Sequence, residues 1–99
     1  MARNDLFLLA PDEVLVLDVQ ADLLASLNTR IVVPLLPRSK APAPAKFLNP
    51  EFSWDGREYV MATQYLAAVS ASQLGKPIGS LDEHFAKITQ ALDTLFQGF

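Results

Sequence analysis

Cysteine is missing altogether from this chain of 99 residues. That excludes a disulfide framework, a thiolate metal site and thiol redox chemistry, and it fits a cytoplasmic setting. A basic excess is missing too. The net charge is −3, so no global positive field exists to neutralise phosphates or to hold an anionic membrane. Direct nucleic-acid binding is therefore not expected. Long apolar runs are also lacking: nothing approaches the roughly 18 to 20 residues of a membrane helix. Before Pro11 stand one cation, Arg3, and a short apolar run, well short of a signal h-region. The expectation is a soluble, untargeted protein with no membrane partner.

Histidine is nearly absent, and this limits the chemistry. His84 is the one imidazole, close in sequence to Ser80 and Asp82. Positions two and four apart on a first helical turn do not build a nucleophile, base and oxyanion hole. Asp18 and Asp22 invite a reading as paired acid and base, but they flank a strand end, where polar capping of the turn is commoner. One His, scattered carboxylates and no H-x-x-x-H pair or EF-hand loop leave no metal-ligand set of recognised spacing. The four glycines, at 56, 75, 79 and 98, read as turns and a cap rather than a phosphate loop. No catalytic residue, metal or cofactor is expected, and composition points to a binding protein rather than an enzyme.

What is present suits one domain over residues 1–99: 51% of the residues are hydrophobic, enough for a core without staples. Leu6 to Ala10 and Glu13 to Gln20 read as strands, the second central. Ile31 to Leu36 is a third, and Pro34, which cannot donate to a ladder, marks an edge or a bulge. Residues 37–46, with three prolines and three cations, have the composition of an extended surface connection. Asp55-Gly56 between alternating runs predicts a type I′ hairpin. Ala67 to Leu74 is a further strand candidate. Near the end, Ser80 and Glu83 form a capping-box pattern. Leu81, Phe85, Ile88, Leu92 and Leu95 then trace one apolar helical stripe. Gly98 stands where a left-handed residue ends a helix, leaving an apolar tail at the chain end.

Several segments carry a resemblance. Leu17-Asp18-Val19-Gln20-Ala21-Asp22-Leu23-Leu24, Thr29-Arg30-Ile31-Val32-Val33-Pro34-Leu35, Val60-Met61-Ala62-Thr63, Leu66-Ala67-Ala68-Val69 and the closing helix with Phe96 and Gly98 follow in order. In this combination the chain resembles the CcdB family, bacterial toxins of toxin–antitoxin pairs that poison DNA gyrase, from about residue 13 to the end. The resemblance implies a mainly β fold with one C-terminal helix: an SH3-like small barrel, with a five-stranded antiparallel sheet continuing into a small second sheet. It implies a homodimer, a cognate antitoxin whose disordered tail folds on binding, and DNA gyrase A subunit as the target. It also implies a gyrase-binding set: Phe96, Gln97, Gly98 and Phe99, with Asp93, Asp22, Leu23 and Leu24 beside them. The family's tail reads Phe-Trp-Gly-Ile, and here Gln97 replaces a tryptophan that stacks on an arginine of gyrase. The alternative is a homodimer of the same fold that has lost gyrase poisoning and serves as a structural or antitoxin-binding regulatory protein.

Overall fold

The computed structural model describes residues 1–98. Among them the chain forms seven strands and one α-helix: β1 Asp5–Leu9, β2 Val14–Asp18, β3 Thr29–Pro37, β4 Glu51–Trp54, β5 Arg57–Met61, β6 Ala67–Ser70, β7 Gly79–Ser80 and α1 Phe85–Gln97. Every pairing is antiparallel. One leaf runs β7, β1, β2, β3, β6, which is the expected five-stranded sheet. β3 then continues into the small second leaf with β5 and β4. The result is a half-barrel with α1 packed across it.

β2 reads Val-Leu-Val-Leu rather than alternating because both of its faces are covered. Leu15 and Leu17 join Leu6, Val33, Leu35, Leu81, Ile88 and Ala91 in the main core, on the helix side. Val16 packs on the opposite face with Phe7, Val32 and Leu74. The segment after β6, which carries Leu74, closes that second cluster.

Pro34 is neither at an edge nor in a bulge. It lies in β3, the strand with the most neighbours, paired with Val16 of β2 on one side. On the other side β3 changes partner, from β6 at residues 29–32 to β5 at residues 35–37. The Pro34 carbonyl accepts the Ala62 N–H at 2.9 Å as the chain leaves β5. Because the ring nitrogen faces this gap between partners, the missing donor breaks no ladder bond.

The Asp55-Gly56 hairpin forms as expected, with φ of 52° and 77° at the two turn residues, both in the left-handed range that a type I′ turn needs. Pro37 still belongs to β3, opposite Tyr59, and residues 38–46 are an exposed connection apart from one 3-10 turn, Arg38–Lys40, and half-buried Ala41. The strand expected over Ala67 to Leu74 ends at Ser70, where a 3-10 turn over Ala71–Gln73 begins. A capping box stops it there: Ser70 accepts from the Gln73 backbone, and the Gln73 side chain accepts from the Ser70 N–H.

The entry to α1 also departs from expectation. Ser80 ends β7, and its hydroxyl accepts the Asp82 N–H at 3.1 Å, a local turn rather than a box with Glu83. A 3-10 turn, Asp82–His84, precedes the helix, whose N-cap has no side-chain bond. The apolar stripe holds at Leu81 and Ile88 and, half-buried, at Leu92 and Leu95. Phe85 breaks it, being about half exposed, with the Arg3 guanidinium 5.3 Å from its ring centre.

Candidate functional site

Helix α1 runs straight into an exposed tip. Gly98 takes φ 80°, and its N–H bonds back to the Thr94 carbonyl at 3.0 Å, ending the helix in the left-handed form that favours glycine. Asp93, Phe96, Gln97 and Gly98 are exposed. Phe96 is the most open aromatic described, at 68%. Phe99 lies outside the described residues.

Beside this tip lies the connection from β2 to β3. Its only regular piece is a 3-10 turn, Asp22–Leu24. There Leu23 projects into solvent with 92% exposure, and Leu24 is half-exposed. The Asp22 carboxylate accepts the Arg3 N–H at 2.8 Å, tying the turn to the N-terminal segment. An open groove of about 360 Å³ separates the turn from the helix, walled by Leu24, Leu27, Ile31, Leu66, Leu92 and Phe96. A contiguous apolar surface of this kind, bounded by polar residues, is what partner-binding faces look like.

The structure thus brings Leu24 and Phe96 into the lining of one groove. Asp22 and Leu23 stand beside it on the same turn, while Asp93, Gln97 and Gly98 surround the helix end without lining it. Leu27, Leu66 and Leu92 also form the walls, and sequence reasoning had not placed them in the binding set. Leu66 comes from the link between β5 and β6, so no spacing in the chain could connect it to the helix.

Elsewhere, between β2 and β3, lies a buried ion pair that sequence reasoning missed. Arg30 donates through Nε to Asp18 Oδ2 at 2.8 Å, and its Nη2 lies 2.6 Å from the same oxygen. Asp18 Oδ1 accepts the Gln20 N–H at 3.0 Å, the turn-capping role that its position at a strand end suggested. Burial pushes the Asp18 carboxyl above its ordinary value of 3.8, against the opposite pull of the Gln20 N–H and Arg30.

His84 shows no pairing with Ser80 or Asp82. Its ring packs on Phe52 at 5.0 Å between centres, and Nε2 lies 3.5 Å from a Glu83 carboxylate oxygen. It is half-buried rather than exposed, because the 3-10 turn rotates it toward β4. Among the described residues no group of three His, Asp or Glu is arranged to hold a metal ion, and no helix is long and apolar enough to cross a membrane.

The fold is a mainly β half-barrel with one C-terminal helix packed across it. Among solved structures, the chain is similar to the Mycobacterium tuberculosis toxin MazF-mt6, with a TM-score of 0.75 at 14% identity, over 93% of this chain and 95% of that one. No curated protein matches the sequence. A model of the CcdB protein family matches residues 9–98. The chain belongs to the CcdB family, and so to the toxins of toxin–antitoxin systems.

Proposed function

We propose that this protein is a type II toxin that binds the DNA gyrase A subunit as a homodimer and traps the enzyme on cleaved DNA. The contact is made by the α1 tip, through Phe96, Gln97, Gly98, Phe99 and Asp93, together with the Asp22–Leu24 turn. The action is by occupancy, with no reaction catalysed by the toxin itself. The observation that supports this most is the groove between Leu24 and Phe96, with Leu23 standing free beside it. Large apolar side chains held in solvent at a helix end are costly unless a partner covers them. An isologous dimer would present two such tips about one axis, which suits a target that is itself twofold. A cognate antitoxin with a disordered, folding-on-binding tail is its counterpart, and the cytoplasm is where toxin, antitoxin and gyrase meet.

A second reading is favoured by Gln97, which is exposed at the position of the family's tryptophan. In that reading the dimer keeps its fold and its antitoxin surface but does not poison gyrase. Expression without an antitoxin separates the two. Growth arrest with gyrase covalently held on broken DNA is the expected result. Normal growth together with unhindered supercoiling by purified gyrase would leave the second reading standing.

A further inference from the structure

The connection between β2 and β3 poses a physical problem. Every residue from Ala21 to Thr29 is exposed, so no buried side chain within it anchors its shape. Its internal bonds are short-range turns: Leu24 N–H to Ala21 O, Ala25 N–H to Asp22 O and Leu27 N–H to Leu24 O, at 2.9, 3.1 and 3.1 Å. Turns of this sort, without packing, open readily. Yet Leu24 and Leu27 must hold one position to line the groove together with Phe96.

Gln20 supplies what the connection lacks. It is 5% exposed, and each of its polar side-chain atoms is used. Nε2 donates to the Leu24 carbonyl at 3.0 Å, and Oε1 accepts the Ile31 N–H at 3.1 Å. Its own N–H donates to Asp18, which Arg30 holds from β3. The amide therefore spans from the middle of the exposed turn to the backbone of the most central strand. The remaining ties between residues 21–28 and the rest of the described fold lie at the two ends, Arg3 N–H to Asp22 and Ala71 N–H to the Asn28 carbonyl.

We propose that Gln20 is a positioning residue of the partner-binding face: its carboxamide locks the turn so that Leu24 lines the groove with Phe96 and Leu23 is presented to the partner. This rests on the gyrase-binding reading for the identity of the partner, but not for the locking itself. A turn that is competent only part of the time lowers apparent affinity by that fraction.

Two variants and two measurements test it. Gln20→Glu keeps the acceptor for Ile31 and removes the donor to Leu24. Gln20→Met keeps the volume and removes both bonds. Amide hydrogen exchange in the purified full chain is expected to speed up about tenfold at Leu24, Ala25 and Leu27 in both variants, while Leu17 and Val33 in the sheet keep their protection. Affinity for a gyrase A fragment, by calorimetry, is expected to fall about tenfold or more. Unchanged exchange at the turn, or affinity within twofold of the parent, overturns the proposal. Loss of protection throughout the sheet in both variants also overturns it, because Gln20 would then be holding the core. If the parent chain itself fails to bind gyrase, the functional reading fails, while the exchange result still decides whether Gln20 locks the turn.

Discussion

Arg30 lies against Asp18 with an Nη2 to Oδ2 distance of 2.6 Å, at 1% and 0% side-chain exposure. The two come from neighbouring strands, β3 and β2, and one loop separates them in sequence. Arg30 Nη1 has no hydrogen-bond partner among the described residues, so the guanidinium depends on that one carboxylate. Two isolated charges placed here would each be strongly unfavourable, and only their pairing and the Gln20 bond offset the loss of water.

Removing one member should therefore cost far more than an average substitution. Arg30→Met keeps a long side chain but leaves Asp18 buried without its cation. The expected loss is about 3 to 5 kcal/mol at neutral pH, read from the urea midpoint at an unchanged slope. A loss of under about 1 kcal/mol, the size of an exposed pair, would show that water reaches the site.

The same variant should be sensitive to pH, and the sign follows from linkage. Burial raises the native Asp18 pKa above 3.8, so its contribution to stability is complete below that value and is lost as pH rises through the raised one. Arg30 limits the rise, and without it the native carboxyl holds its proton to a still higher pH. The stability gap between parent and Arg30→Met is expected to be smallest near pH 4 and to widen toward neutrality. Unfolding titrations at stepped pH check this, and a gap that narrows with rising pH contradicts it.

Local rules made much of this fold legible in the sequence. Asp55-Gly56 needed only its own backbone preferences, and the β-branched apolar run of β2 already marked it as a central strand. Gly98 likewise ended α1 where its freedom at positive φ predicted. The errors came where two elements compete for one signal. Ser80-x-x-Glu83 and Ser70-x-x-Gln73 both fit the capping pattern, and tertiary context chose the second. Pro34 announced a missing donor, but whether that gap falls at a sheet edge or at a change of partner depends on strands far along the chain. The groove was partly legible. Leu24 and Phe96 could be named through resemblance, whereas Leu66 and the Asp18–Arg30 pair required the folded chain.

Leu23 offers a clean separation of binding from stability. At 92% exposure it contributes almost nothing to the core, so Leu23→Asp should change unfolding free energy by no more than about 0.5 kcal/mol. Within the proposed contact, the same change places a carboxylate where the partner would cover an apolar side chain. Gyrase affinity should drop by about 2 kcal/mol or more, roughly thirtyfold, with growth arrest lost. Full toxicity in this variant, at normal expression, would move the contact away from the turn.

Gln97 tests the tip itself. It lies four residues after Asp93, so the two side chains are neighbours on one exposed face of α1. A carboxamide there offers hydrogen bonds but no aromatic face for an arginine. Gln97→Trp supplies that face, and a cation–π contact contributes about 1 to 2 kcal/mol, up to roughly thirtyfold in affinity. Because the position is exposed, thermal stability should stay near that of the parent, which makes any gain in gyrase binding attributable to the contact. Asp93→Asn in the same background checks whether the neighbouring carboxylate helps: if it pairs with the same arginine, its loss should remove part of the gain and weaken the salt dependence of binding. Equal or weaker binding by Gln97→Trp would mean that the tip does not meet a gyrase arginine, and would shift the contact toward the groove between Leu24 and Phe96.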